Sequence, residues 1–461
     1  MAGQADVVAG GVGGRQWTSD EVAAALGVTA PSKLKFTSIS TDTRHPIPGA
    51  LFVALKGANF DAHNFLAQAK AQGAAAAVVR RGTPAVNGLP FFEVDDTLEA
   101  LGALARARRR MLPDGTPVVA ITGSSGKTST KEMIRAALAA QYRVHATTAN
   151  LNNRIGVPLT ILSAPEDTQA LVVEAGASVP GEIAKLRDII EPTIAVITNI
   201  GYAHVEGFGS LEGVMKEKLS LLDGAPVAVL GSGPETMWPD ARHRTRVIPA
   251  GLGGKATDDA LLDRYLDRDG HPQLKLDTGD TVTLPVLGIH QLENALIALA
   301  VAQRAGVKHD AAVRALANLT LPEGRGDLKE IGGKLVIDDS YNANPASMRR
   351  AVQTAAWLAR HQRRPLVVVV GTMLELGPES ARLHADVARE IAGRKPALVA
   401  AVGAFVRPFE SLREELGGRL ITATDAAALG PKLRSALRGN ELLLLKASRG
   451  VALEQVLRQL T

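Results

Sequence analysis

The sequence predicts a three-domain α/β protein. It has a small α/β N-terminal domain, a central phosphate-loop-type domain on a mostly parallel sheet, and a C-terminal Rossmann-like domain. Three observations carry this. Residues 121–130 read ITGSSGKTST, a glycine-rich turn between an apolar run and a helix-like segment. From about residue 114, short apolar runs free of polar alternation are separated by amphipathic stretches, the pattern of parallel strands covered on both faces. The alternation breaks at Leu321-Pro322-Glu323-Gly324 and then restarts. A length of 461 residues agrees, since domains average roughly 150 residues.

The first block, 1–113, mixes short β-type runs (LFVAL, AAAAVV, FFEV) with helices and closes at the Leu112-Pro113-Asp114-Gly115 turn signal. It contains the one dense basic cluster, RARRRM (106–111), at the end of the amphipathic run TLEALGALARARRR. That cluster reads as a solvated helix face near a domain boundary. The central block, 114–323, begins with a strand at Thr116–Thr122 and a helix over KEMIRAALAA. Strands follow at RVHAT, LVVE, IAVITNI and VAVL, with helices at EIAKLRDII and LEGVMKEKLSLL. A more polar β-type stretch (272–287) and two helices (290–306 and 309–318) complete it. The last block, 324–461, repeats strand and helix with KLVIDD, LVVVVG, ALVAAV, LITA and ELLLLK.

Composition narrows the function classes. Hydrophobic residues make up 46% and charged residues 21%, a globular balance. There are no cysteines, which excludes disulfides, thiolate metal sites and cysteine nucleophiles and fits a reducing, cytoplasmic setting. The glycine- and alanine-rich first fifteen residues lack the basic and apolar regions of a signal peptide. Runs such as LVVVV (366–370) fall far short of the roughly 20 residues of a membrane helix. A net charge of +5 suits small anionic substrates, and aromatic content of only 3% speaks against a nucleic-acid surface. No nucleic acid and no membrane insertion are expected.

The chemistry begins at the glycine-rich turn. Glycines let several backbone N–H groups point at one anion, and a helix N-terminus adds a favourable dipole. A lysine adds charge, and a threonine hydroxyl can ligate Mg²⁺. Gly123, Ser124, Ser125, Gly126, Lys127, Thr128 and Ser129 therefore form the expected ATP cradle, with two residues between its glycines where the usual loop has four. Ligands of open α/β sheets sit beyond the carboxyl ends of the strands. Glu174, Asn199 with the following His204, Asp339 and Lys446 all fall at such ends. One carboxylate after a strand is ordinarily a turn or cap, and one loop histidine is ordinarily solvated. Beside a phosphate loop, Thr128, Glu174 and His204 would converge on an oxygen-rich Mg²⁺ site. Lys218 lies on the inward stripe of its helix with Leu211, Val214, Met215, Leu219 and Leu222. A buried ammonium is costly unless paired, with Glu217 or another carboxylate, or chemically modified.

These motifs together resemble the Mur ligase family over nearly the whole chain. The similar stretches are STDTRHPIPGALFVALKGANFDAHNF, TGSSGKTSTKEM, ANLNNRIGVPLT, VVEAGA, AHVEGFGSLEGV, GIHQLENALIA, GRGDLKEI, DDSYNANPASM, GTMLELGPES and KASRGVALE. DDSYNANP and ANLNNRIGVP are the most specific. The resemblance implies an ATP-dependent amide ligase of the branch that joins D-alanyl-D-alanine to UDP-N-acetylmuramoyl-tripeptide, working as a monomer. It implies Lys127, Lys218 and His204 as catalytic residues, with Asn294, Arg325 and Asp339 also facing ATP. It further implies a carbamylated Lys218 beside Thr128, Glu174 and His204 at the metal. Thr43 and Arg44 would meet the UDP end, Thr148, Asn150, Asn152 and Asn153 the muramoyl peptide, and Tyr341, Asn342 and Asn344 the dipeptide. Four positions depart from the family pattern: Ala149 and Ala447 replace glycines, Gln291 an asparagine and Thr372 an aspartate. The rival readings are a diamino-acid-adding Mur ligase, a folylpolyglutamate-synthase-like ligase, a phosphate-loop kinase and a non-catalytic nucleotide binder. The chain lacks the D-N-P-R-type signature of the diamino-acid ligases.

Overall fold

The computed structural model describes residues 14–252 and 259–460. Most of the opening segment read as lacking a signal peptide, 1–13, lies outside the described residues. Three main sheets carry the chain. The N-terminal one has four parallel strands in chain order, Ile39–Ser40, Leu51–Val53, Ala76–Arg80 and Phe91–Val94. Helix Thr97–Arg110 follows, its first turn capped by the Asp96 carboxylate accepting from the N–H groups of Leu98 and Glu99.

That helix corrects the reading of the basic cluster as a solvated face. Arg106 and Arg110 are exposed, but Arg108 is only 2% exposed. Its guanidinium donates to the carbonyls of Ala164 (2.9 Å) and Pro165 (3.0 Å), just past helix Gly156–Leu162. Arg109 donates to Ile190 O (3.0 Å) and Glu191 O (2.8 Å) at the end of helix Glu182–Ile190. Helix C-termini leave carbonyls without partners and carry partial negative charge. The arginines satisfy them and bind the N-terminal domain to the central one.

The central sheet is six parallel strands, in spatial order Arg246–Pro249, Val227–Ser232, Ile194–Asn199, Val118–Thr122, Ala170–Glu174 and Val144–Ala146. Both faces of the four inner strands are buried, which is why these read as apolar runs, while the edge strands Arg246–Pro249 and Val144–Ala146 are partly exposed. Val119 and Ile121 pack with Met133, Ile134 and Leu138 of helix Lys127–Ala139 in a core shared with Ile337, Val368 and Leu444 of the C-terminal domain. Val118 and Ala120 face the other way, into a core shared with Leu101 and Leu104. The polar stretch 272–287 forms an antiparallel pair, Gln273–Lys275 with Thr281–Thr283. Helices Ile289–Arg304 and His309–Leu316 follow.

The C-terminal sheet runs Asp327–Ile331, Lys334–Asp338, Leu442–Lys446, Leu366–Val370, Leu398–Val402 and Leu420–Ala423; only the first pair is antiparallel. Residues 319–326, without regular structure, join it to the central domain. No helix among the described residues is long and apolar enough to cross a membrane.

Candidate active site

The phosphate loop leaves strand Val118–Thr122 and enters helix Lys127–Ala139, so Lys127 and Thr128 are the first helical residues. Two glycines are demanded by space. A Cβ on Gly123 would lie 1.9 Å from Thr198 Oγ1. Gly126 has φ +77°, and a Cβ there would meet Asn294 Oδ1 at 2.8 Å. The neighbouring strand end grips the loop. Ser125 donates its N–H to Asn199 Oδ1 (3.0 Å), and Thr198 Oγ1 and Asn199 Nδ2 donate to Ser125 O (2.6 and 3.1 Å). Lys127 folds back to donate to Gly123 O at 2.9 Å. Burial pushes its pKa down, opposed by the Glu174 charge.

Glu174, 2% exposed, is fixed at both oxygens. Oε2 accepts from Thr128 Oγ1 (2.9 Å) and Oε1 from Asn152 Nδ2 (2.9 Å). Neighbouring ligands of an octahedral Mg²⁺, each roughly 2.0–2.1 Å from the ion, stand about 2.9 Å apart. The Thr128–Glu174 pair therefore fits two adjacent positions of such an ion. His204 lines the same cavity, in the left-handed region at φ +55°. Its Nδ1 lies 2.5 Å from Glu375 Oε2 of the C-terminal domain, and this contact holds the Glu375 carboxyl below its usual range against the opposing effect of burial.

Lys218 is 1% exposed, as its stripe position predicts. It is not paired with Glu217, whose carboxylate instead accepts from Gly181 N (2.7 Å) and Ile183 N (2.7 Å), capping helix Glu182–Ile190. Burial, helped by the nearby Lys127 charge, lowers the Lys218 pKa to about 7. It is not among the residues that line the cavity.

The C-terminal domain closes the other side of a cavity of about 510 Å³. Arg325 Nη2 donates to Thr128 Oγ1 (3.0 Å) while its guanidinium lies 4.2 Å from the Tyr341 ring centroid. Lys446, 2% exposed, is paired with Asp339 Oδ2 (2.5 Å) and donates to Asn342 O (3.0 Å). Burial raises the Asp339 pKa, opposed by Lys446. Arg350 forms a part-buried ion pair with Glu293, which also accepts from Ser232 Oγ (2.6 Å). His290 is held neutral, its pKa pushed to about 3 by burial and, secondarily, by the Arg350 and Lys446 charges.

Of the residues singled out from sequence, the cavity brings together Ser124 to Ser129, Glu174, His204, Asn294, Arg325 and Asp339. It also gathers Asn150, Asn152, Asn153, Tyr341, Asn342 and Asn344. Gly123 contributes its carbonyl to Lys127. Thr148 is exposed outside the cavity, and Thr43 and Arg44 lie on the N-terminal domain away from it. Several asparagines also have structural duties. Asn153 Oδ1 accepts from the N–H groups of Ile155 and Gly156 at the start of helix Gly156–Leu162, and Asn344 caps helix Pro345–His361 while its Nδ2 donates to Ser124 O (3.2 Å). Lys446 was visible as a strand-end residue but had no assigned role. Glu293, Arg350 and Glu375 were missed, because nothing local to them marks a partner in another domain.

A phosphate loop on a parallel sheet, faced across a cavity by a second Rossmann-like domain, is the architecture of a nucleotide-using enzyme. Residues 121–302 match the Mur ligase middle domain, 324–449 the Mur ligase glutamate ligase domain, and 35–109 the Mur ligase family catalytic domain. The UDP-N-acetylmuramoyl-tripeptide--D-alanyl-D-alanine ligase of Bacillus subtilis (strain 168) is 36% identical over 430 residues, covering 92% of each chain. The crystal structure of MurF from Acinetobacter baumannii superposes with a TM-score of 0.85 at 31% identity, covering 97% of this chain and 99% of that one. MurF ligase from Thermotoga maritima, solved in complex with ADP, gives 0.78 at 28% identity, covering 92% and 96%. The chain belongs to the Mur ligase family, and it is an ATP-using ligase.

Proposed function

We propose that the chain joins D-alanyl-D-alanine to UDP-N-acetylmuramoyl-tripeptide with hydrolysis of ATP to ADP and phosphate. The observation that carries this reading is the single cavity in which Lys127, Thr128 and Glu174 face Arg325, Asp339 and Lys446 of another domain. A simple kinase or nucleotide binder has no need of the second wall. The curated relatives carry the name of this ligase.

In the first step the terminal carboxylate of the tripeptide attacks the γ-phosphorus and ADP leaves, giving an acyl phosphate. The amine of the dipeptide then attacks the acyl carbon through a tetrahedral intermediate, and phosphate departs. Lys127 and the loop N–H groups hold the phosphates, and Arg325 is poised across the cavity to steady the transferring group. Thr128, Glu174 and His204 would hold Mg²⁺, with a carbamylated Lys218 adding a negative charge behind them. When bound, the ion neutralises phosphate charge. Alignment of the reactants is worth about 7–11 kcal/mol. Domain contact excludes the water that would hydrolyse the acyl phosphate.

In this reading residues 1–113 hold the UDP end through the Thr43-Arg44 region, where Thr43 O accepts from Gln68 and Arg44 pairs with Asp42. Residues 114–323 bind ATP. Residues 324–461 bind the dipeptide near Tyr341, Asn342 and Asn344 and turn about 321–326. The enzyme acts in the cytoplasm as a monomer in this reading. The test supplies ATP, Mg²⁺ and D-alanyl-D-alanine with UDP-muramoyl tripeptides ending in lysine or in diaminopimelate. Phosphate release with a product heavier by the dipeptide residue is expected. Phosphate release without that product, or a stable phosphorylated product, would overturn the assignment.

A further inference from the structure

His204 and Glu375 belong to different domains, yet their turns interlock. Both are non-glycine residues in the left-handed region, at φ +55° and +61°. Such a conformation costs on the order of 1–2 kcal/mol per residue and persists only where surroundings impose it. Here the surroundings are each other. Glu206 donates its N–H to Glu375 O (3.2 Å), and Gly377 packs so closely that a Cβ there would lie 3.2 Å from Glu206 Cα. The side chains meet in the same place, with His204 Nδ1 2.5 Å from Glu375 Oε2. Nδ1 is buried and makes no hydrogen bond of standard geometry, so the Glu375 carboxylate 2.5 Å away is the polar group it meets. A carboxylate against Nδ1 keeps the proton there and leaves Nε2 as the nitrogen with a free lone pair.

We propose that Glu375 is a positioning residue that fixes the His204 tautomer and ring orientation, so that Nε2 faces the cation and the metal site is complete only when the C-terminal domain is docked. The proposal rests on the reading of His204 as a ligand of the divalent ion. A carboxylate behind a metal-binding histidine typically changes metal affinity 10- to 100-fold. The arrangement makes cation binding and domain docking mutually reinforcing, because each stabilises the same imidazole pose.

The experiment measures Mn²⁺ binding to the full chain with ADP present, by electron paramagnetic resonance. It compares the wild type with Glu375→Ala, Glu375→Gln and His204→Ala. Glu375→Ala should weaken Mn²⁺ binding 10- to 100-fold, and Glu375→Gln, whose amide oxygen can still accept from Nδ1, should recover part of that loss. ADP affinity without metal should stay constant, which separates positioning from misfolding. ¹⁵N NMR of labelled histidine should place the His204 proton on Nδ1 in the wild type and show tautomer exchange in Glu375→Ala. Unchanged Mn²⁺ affinity in His204→Ala would remove the underlying ligand assignment. Weakened binding in His204→Ala with none in Glu375→Ala would leave that assignment standing and overturn the proposal.

Discussion

Lys218 offers the sharpest test of how burial sets chemistry in this protein. The residue is 1% exposed and unpaired with Glu217, and its amine is held at a pKa of about 7. At pH 7.5 about three quarters of the amine is then neutral, against about 0.1% for an ordinary lysine near 10.4. Only the neutral amine attacks CO₂, so the site is several hundredfold better prepared for carbamylation than a surface lysine. The neutral fraction climbs from about 9% at pH 6 to about 91% at pH 8. Protein stripped of CO₂ and returned to ¹³C-bicarbonate should therefore take up label into a carbamate signal about tenfold faster, per dissolved CO₂, at pH 8 than at pH 6. The signal should be absent from Lys218→Ala, whose ligase activity should collapse and partly return with formate or another short carboxylic acid. Stability adds an independent check. With the folded pKa depressed, the unfolded chain binds the extra proton between about pH 7 and 10.5. In CO₂-free buffer stability therefore rises with pH across that window, by at most about 4–5 kcal/mol, and Lys218→Met should flatten the rise. No carbamate on the wild type, or full activity of Lys218→Ala without additive, would refute this reasoning.

Three further outcomes are expected. Lys127→Ala should abolish ATP-dependent phosphate release; near-normal turnover would refute the loop assignment. Arg108→Met keeps the apolar stem but strands the carbonyls of Ala164 and Pro165, and urea denaturation should show a loss of about 3 kcal/mol, whereas exposed Arg106→Met should cost under about 0.5 kcal/mol. Ala149 holds φ +48° where the family resemblance places glycine, so Ala149→Gly should raise stability by about 0.5–1 kcal/mol, and a fall would show the strain to be relieved elsewhere.

How much was legible in the sequence follows from which interactions are local. The phosphate loop was legible because strand, glycines, lysine and helix are consecutive, and Lys127 duly opens the helix. Parallel strands were legible because a sheet covered on both faces leaves no polar alternation, as in fully buried Leu366–Val370. Lys218 was legible as an inward residue from helical spacing, while its lack of an ion pair was not, because Glu217 turns to cap another helix. The arginine cluster was misread for a related reason. Periodicity shows which face of helix Thr97–Arg110 is apolar, but the carbonyls that Arg108 and Arg109 satisfy lie 56 to 82 residues further on. Glu375 lay within the quoted stretch GTMLELGPES, but nothing in that stretch pointed to His204, which belongs to another domain.

The charges around the cavity divide in a way that bears on mechanism. Lys446 is matched by Asp339 and Arg350 by Glu293. Each pair holds a cation in place against its like-charged neighbours, at the cost of desolvating both partners. Among the described residues, no carboxylate is ion-paired with Lys127 or Arg325. Lys127 rests on the Gly123 carbonyl, and Arg325 rests on the Thr128 hydroxyl and the Tyr341 ring. Neutral acceptors are weaker partners than a phosphate, so an incoming triphosphate gains these two cations without breaking an ion pair. The two come from different domains. In the proposed reading, a γ-phosphate held between them would be a bridge that forms only when the domains are in contact, the condition under which water is kept from the acyl phosphate.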